Sequence, residues 1–244
     1  MTLKLNSDLG ESFGSWKMGM DDKAMPHIHQ ANIACGFHAG DAIIMKRTLA
    51  MAKANGVSVG AHPAYPDLQG FGRRSMKCSK DEIIAYVQYQ LSALEGLARN
   101  EDMTVDYVKP HGALYNDMIA NDDVRDAVMQ AVATHHSKPV LMMQATPAHA
   151  QHTEEANKYG LTLSFEAFAD RCYDDDGKLL SRAKAGAVHT KEKMIAQVKQ
   201  LCEQGTVTTV SGQILEVKAD SLCVHGDNEE GTKAIIEIRA LVDA

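Results

Sequence analysis

The feature that most constrains this chain is an alternation of short apolar stretches with amphipathic helical ones, repeated roughly seven times with no linker between units. Residues 3–8, 31–35, 57–61, 105–108, 139–143, 161–165 and 221–224 read as strands, each closed by polar or Gly-rich sequence. The helical stretches carry their own start and stop signals. Asp41 caps a helix over 42–55 that stops at Gly56, and Ser79 with Glu82 makes a capping box for a helix running to about residue 99. Asn121 caps a helix through 133, Thr146-Pro147 opens one that ends before Gly160, Thr190 caps 191–203, and 229–242 closes the chain. The first interval is the exception, because Pro26 interrupts a poor helical pattern over 21–30. Ser211-Gly212, between 207–210 and 213–217, marks a hairpin outside the alternation. Strand–helix repetition specifies parallel strands. With no Gly-rich nucleotide fingerprint after the first strand, a closed barrel is preferred to an open sheet. The expected architecture is α/β, a TIM-like (β/α)7 barrel forming a single domain over 1–244.

Composition narrows the function classes. The formal net charge of −7 gives no general attraction for nucleic acid or an anionic membrane, so small molecules or proteins are the expected partners. No apolar run approaches the length of a membrane span, and residues 1–5 lead straight into a strand without a signal-peptide core. The expected location is therefore cytoplasmic. The 5 cysteines are widely spaced and form no CxxC pair, which indicates neither a disulfide framework nor a zinc knuckle.

In parallel strand–helix folds the active site lies at the carboxyl ends of the strands, and here nearly every strand ends in chemistry. Asp8 and Glu11 follow the first; His38 and Asp41 the second; His62 the third; Lys109 and His111, in the stretch VKPHGALYN, the fourth. Glu166, Asp170 and Arg171 lie at or past the sixth, and His225 and Asp227 past the last. The Pro- and Gly-rich segment 62–75 carries Arg73 and Arg74 and reads as a functional loop. Each residue alone is more simply a cap or a solvated loop group. Their convergence on one mouth argues for an anion-binding, acid/base pocket. His135-His136 reads as a polar connection, His149 and His152 as residues of a polar helix, and Met142-Met143 as strand core. The stretch GDNEEGTK over 226–233 is no phosphate loop, since its Lys and Thr are in the wrong order and its acidic residues repel phosphate.

Six segments, LNSDLGESFG (5–14), ANIACGFHAGD (31–41), GAHPAYPDLQGFGRR (60–74), VKPHGALYN (108–116), EAFADRCY (166–173) and CVHGDN (223–228), resemble the LamB/YcsF family in the right order, end to end. Ser7 stands where that family more often has cysteine and Ala64 where glycine is commoner. The resemblance implies a seven-stranded barrel similar to the glycoside hydrolase/deacetylase fold. It also implies an ATP-hydrolysing 5-oxoprolinase, in which this chain works with partner subunits B and C to open 5-oxo-L-proline (5-oxoproline) to L-glutamate, ATP being a co-substrate bound in a pocket shared with the partners.

That chemistry suggests roles for the strand-end residues. Lys109 and Arg171 would bind the substrate carboxylate or a phosphorylated carbonyl oxygen. Either His111 or His225 would move protons, supported by Asp227, Asp8 or Glu166. His38, Asp41, His62 and Arg73 would complete substrate binding. Asp8, His38, His62, His111 and His225 could also supply a mixed His/Asp site for a divalent metal such as zinc or manganese. Lys109→Met is expected to abolish turnover and leave the fold and partner binding intact. Two other readings stay open: a stand-alone metal-dependent deacetylase or amidohydrolase, and a non-catalytic binding protein of the complex.

Overall fold

The computed structural model describes residues 3–181, 184–225 and 229–243. Seven parallel strands close a barrel: β1 (Lys4–Leu9), β2 (Gln30–Ala34), β3 (Ser58–His62), β4 (Tyr107–Val108), β5 (Val140–Gln144), β6 (Leu163–Phe168) and, after a two-stranded excursion formed by β7 (Thr206–Thr208) and β8 (Ile214–Glu216), β9 (Ser221–Cys223). β9 lies between β6 and β1, pairing Glu166 with Ser221 on one side and Lys4 with Ser221 on the other, so no barrel strand is left with an open edge. The expected (β/α)7 barrel is therefore the observed one. The helices are α1 (Asp21–Ala24), α2 (Ala42–Asn55), α3 (Lys80–Asn100), α4 (Gly112–Ala120), α5 (Asp122–Thr134), α6 (His149–Asn157), α7 (Lys191–Gln204) and α8 (Glu229–Val242).

The caps read from sequence act as such at three helices. Asp41 accepts from the N–H groups of Ile43 and Ile44, Ser79 and Glu82 make the reciprocal capping box, and Asn121 accepts from Asp123 and Val124. Thr190 occupies the cap position of α7 without a side-chain hydrogen bond. Pro26 confines α1 to a single turn followed by a 3-10 turn over Met25–His27. Two boundaries differ from expectation in ways that matter. α4 is an added element: Pro110 and Gly112 read as breaks, yet the helix begins directly on Gly112. β6 runs to Phe168, so Glu166 lies inside the barrel wall rather than at the strand exit.

Strand periodicity then sorts the side chains. On β1, Leu5 and Leu9 join the buried apolar layer beneath the helices, while the alternate residues Asn6 and Asp8 meet groups of other strands inside the barrel. There a polar girdle crosses the lumen. Asn6 Nδ2 donates to Ser221 Oγ (2.7 Å), Asn32 Nδ2 to Asn6 Oδ1 (2.7 Å), Ser221 Oγ to Gln30 Oε1 (2.8 Å) and the Tyr107 hydroxyl to Asn32 Oδ1 (2.7 Å). Each residue of the girdle finds a partner, as a low-dielectric interior requires. The Tyr107 ring occupies the space in front of Gly60 on the neighbouring strand, where an added Cβ would lie 2.2 Å from Cε2. Gly60→Ala is expected to cost about 3 kcal/mol by overpacking. Urea denaturation should show a lower midpoint, with a large part of the loss recovered in the Gly60→Ala/Tyr107→Leu double variant.

Candidate active site

Continuing each barrel strand by two residues along its inward face reaches the mouth: Asn6 to Asp8, Tyr107 to Lys109 to His111, Gly60 to His62, Cys223 to His225. Lys109 is the centre. Its Nζ lies 2.9 Å from Asp8 Oδ1, 2.8 Å from Glu166 Oε1, 3.3 Å from Cys223 Sγ and 3.4 Å from Asn6 Oδ1, and the residue is 2% exposed. Burial by itself would discharge this ammonium, but the Asp8 and Glu166 charges hold its pKa well above the ordinary lysine value. Burial likewise opposes the Asp8 carboxylate, and the facing His62, Lys109 and His225 bring its pKa well below the usual range. Glu166 is fully buried and its Oε2 accepts from the Tyr115 hydroxyl (2.8 Å). With three protons and at least three close acceptors, Lys109 is a buried structural cation. Its Nζ is thus engaged inside the barrel, while the residue still lines the cavity at the mouth.

Beside this triad the histidines gather. His62 Nδ1 is 2.6 Å from the Lys109 carbonyl oxygen, His111 Nε2 is 2.9 Å from the Phe71 carbonyl oxygen, and the opposite nitrogens, His62 Nε2 and His111 Nδ1, face each other at 2.9 Å. His38 stacks on His111 with ring centroids 3.7 Å apart and planes 5° apart, and its Nε2 lies 3.2 Å from Glu11 Oε1. Gly72 lets its loop approach this stack closely: its φ is +63°, and a Cβ there would sit 2.8 Å from His38 Cβ and 2.9 Å from His111 Cδ2. Burial lowers the pKa of His38 and His111 well below the imidazole value, so both rings are neutral, while burial raises that of Glu11.

His225 is differently placed. Its Nδ1 is 2.7 Å from Asp170 Oδ2, its Nε2 is 3.7 Å from Asp8 Oδ2, and its side chain keeps 21% exposure. An imidazole oriented by a carboxylate, with the other nitrogen toward a cavity, is the arrangement of a general base. In His111, Nε2 faces the Phe71 carbonyl, Nδ1 faces His62 rather than a cavity, and the residue is 5% exposed, so of the two proton carriers expected from sequence the geometry favours His225. The cavity at the mouth, about 470 Å³, is lined by Asp8, Lys109, Gln144, Arg171, Lys178 and His225 among others. A second, about 580 Å³, adjoins it through Asp8, Arg73, His111 and His225 and reaches Glu11, Trp16 and His38.

The remaining expectations divide. Arg73 lines both cavities, with its guanidinium 5.0 Å from the centroid of the Phe71 ring. Arg171 lines the first, but its Nη2 donates to the Leu180 carbonyl (2.6 Å) and its Nε to the Ala187 carbonyl (3.4 Å), so it also ties down the excursion after β6. Asp41 lines neither cavity. Its carboxylate accepts from Ile43, Ile44 and Gly14, which caps α2 and pins the loop after β1, and this replaces the substrate contact expected of it. Asp227 lies outside the described residues. The sequence places Glu11 and Asp170 at strand ends, and the phenol of Tyr115 in the stretch VKPHGALYN, without giving them a site role; no spacing signal marks Lys178. Ser7, buried in β1, donates its hydroxyl to the Val224 carbonyl (2.8 Å), a contact between neighbouring strands.

A parallel barrel with a charged, histidine-rich mouth at its strand exits has the layout of the barrel enzymes. Within that class the chain belongs to the LamB/YcsF family, whose model matches residues 3–244. It is 51% identical over 240 residues to a protein from Chromohalobacter salexigens named as the A component of 5-oxoprolinase, covering 98% of this chain and 96% of the relative. The protein of the same name from Vibrio parahaemolyticus is 51% identical over 238 residues, covering 97% and 94%. Among solved structures, a lactam utilization protein from Thermus thermophilus superposes with a TM-score of 0.90 at 36% identity, covering 100% of this chain and 98% of that one. A glycoside hydrolase family 30 xylanase from Clostridium acetobutylicum shares the fold, with a TM-score of 0.55 at 11% identity, over 98% of this chain and 72% of that one. No described helix is long and apolar enough to cross a membrane.

The Lys109 geometry changes what its removal should do. Lys109→Met would leave Asp8 and Glu166 buried without their cation, so the variant is expected to lose about 3–5 kcal/mol of stability rather than fold unchanged. A double-mutant cycle with Glu166→Gln, read by chemical denaturation, should recover part of that loss. Additive effects would show that the charges are not coupled.

Proposed function

We propose that this chain is the A component of an ATP-dependent 5-oxoprolinase that opens 5-oxo-L-proline to L-glutamate together with partner subunits B and C. The observation that carries the reading is the 51% identity, over nearly the whole of both chains, to proteins named for that component. The mouth suits the reaction. A five-membered lactam is a stabilised amide, and transfer of the γ-phosphoryl group of ATP to its carbonyl oxygen releases ADP and makes the carbon electrophilic. Water adds to that carbon, the C–N bond breaks as the ring nitrogen takes a proton, and a second water releases phosphate to leave glutamate.

In this scheme His225, oriented by Asp170, takes the proton from the attacking water and returns one to the ring nitrogen. Arg73 and Lys178, lining the opening, bind the substrate carboxylate and the phosphorylated oxygen. Lys109 holds Asp8 and Glu166 in place, so that Asp8 faces the Nε2 of His225 and stabilises its protonated form. Nothing in the sequence builds a complete phosphate loop, and the nucleotide is read as bound where this mouth meets the partner subunits.

The test is glutamate and ADP release from 5-oxoproline by this chain alone and with B and C. Product only in the complete, ATP-containing mixture supports the proposed reading. ATP-independent hydrolysis of an amide or acetyl group by the isolated chain replaces it with the deacetylase or amidohydrolase reading. Strand-end variants that alter assembly and leave turnover unchanged replace it with a non-catalytic binding role. In the complete mixture, His225→Ala is expected to lower kcat about 10²–10⁴-fold, the usual contribution of a positioned acid or base, and Asp170→Asn to lower it at least about tenfold. Turnover by His225→Ala within about twofold of the unsubstituted protein would remove His225 from the proton path.

A further inference from the structure

The contact between His62 and His111 is chemically incomplete as it stands. A backbone carbonyl can only accept a hydrogen bond, so His62 carries a proton on Nδ1, donated to Lys109 O, and His111 carries one on Nε2, donated to Phe71 O. With those two protons placed, His62 Nε2 and His111 Nδ1 face each other across 2.9 Å, and unless a further proton sits on one of them they meet as two lone pairs. Two acceptors at that distance repel unless something positive lies between or beside them. The surroundings supply further donor atoms of the same kind: Glu11 Oε1 is 3.5 Å from His111 Nδ1, and Asp8 Oδ2 is 3.4 Å from His62 Nε2. Ligands about 2.1 Å from a common divalent ion stand roughly 3.0–3.4 Å apart in octahedral or tetrahedral geometry, and these spacings bracket that range.

We propose that His62 Nε2, His111 Nδ1 and Glu11 Oε1, with Asp8 Oδ2 at the remaining edge, form a binding site for one divalent transition-metal ion of the zinc class. Both imidazoles already have the outer hydrogen bond that fixes the tautomer and orientation of a metal-ligating histidine. Two neutral nitrogens and two carboxylate oxygens suit zinc or manganese better than calcium or magnesium, which take oxygen alone. His38 also belongs to this cluster, with Glu11, His62 and His111. Its ring lies parallel to that of His111 at a centroid distance of 3.7 Å, so the two cannot direct in-plane lone pairs at the same point. It serves instead as a positioning residue that holds Glu11 through Nε2, 3.2 Å from Oε1. His225, turned to Asp170, stands outside the set. The expected five-residue grouping of Asp8, His38, His62, His111 and His225 thus becomes two imidazoles and two carboxylates, with Glu11 added.

This assignment rests on the geometry of the cluster and is independent of the reaction proposed above. Its test uses the purified full chain, stripped with a chelator and then equilibrated with zinc or cobalt alone. One equivalent should remain bound after gel filtration by elemental analysis, cobalt should give visible d–d bands of a site with nitrogen and oxygen ligands, and zinc should raise the melting temperature. Glu11→Gln, nearly isosteric, and His62→Ala should each weaken binding at least about tenfold, in line with losses seen when metal surroundings are removed. His136→Ala, in the other described His/Glu cluster formed with Glu95 and His135, should leave binding unchanged. Circular dichroism of the stripped Glu11→Gln variant separates a lost ligand from a lost fold. Absence of stoichiometric binding by the unsubstituted chain would overturn the proposal and leave a shared proton between His62 and His111. Binding that survives Glu11→Gln and His62→Ala but is lost in His136→Ala would overturn it in favour of the peripheral cluster.

Discussion

The mouth of this barrel depends on one buried cation. Lys109, on the segment leaving β4, reaches across the lumen to Asp8 on β1 and Glu166 on β6, residues 101 and 57 positions away in the chain. An unpaired ammonium or carboxylate in that position would cost several kcal/mol, so each of the three groups depends on the others for a partner. The consequence is geometric as much as electrostatic. Three strands of one closed sheet are tied at the level where the histidines of the mouth emerge, and Asp8, held by Lys109 through one oxygen, presents the other to His62 and His225. Tyr115 extends the same network from α4 to Glu166.

Above that layer the site separates into two neighbouring environments with different chemistry. On one side, the neutral imidazoles of His38 and His111 pack with His62 beside Glu11, sealed by the glycine loop over 70–72 and by backbone carbonyls. On the other, His225, held by Asp170, faces the cavity at the mouth alongside Gln144, Lys178 and Arg171. Buried neutral histidines suit coordination, whereas a half-open histidine backed by a carboxylate suits proton transfer. Both sides share Asp8, a single carboxylate that faces His62 and His225.

Much of this was legible in the sequence because the physics is local. Caps at Asp41, Ser79 and Asn121 depend on a side chain reaching a backbone N–H two or three residues away, and alternation along strands depends on nothing beyond the pleat. The rule that parallel barrels carry chemistry at their strand exits located Asp8, His62, Lys109, His111 and His225 together. What failed did so for nonlocal reasons. Pro110 and Gly112 do end the strand at Val108 as read, but the helix that starts on Gly112 left no sign. The φ of +56° at Gly112 and its missing Cβ let the Gly72 carbonyl approach α4, where a Cβ would meet that oxygen at 2.5 Å. Asp41 looked like a strand-end ligand because its position along the chain matched the others, yet three backbone donors had already taken its carboxylate.

By itself the sequence determined the alternation of elements, hence parallel strands and the end of the barrel at which function gathers, since these follow from periodicities of a few residues. Only the tertiary structure decided which charges neutralise one another and which ring nitrogens face one another. Those outcomes depend on contacts such as Lys109 with Asp8 and His62 with His111, between residues 101 and 49 positions apart. Closure of the barrel brings such groups within about 3 Å, where desolvation and Coulomb energy are large enough to set ionisation and tautomer. No pattern within a single strand or helix carries that information.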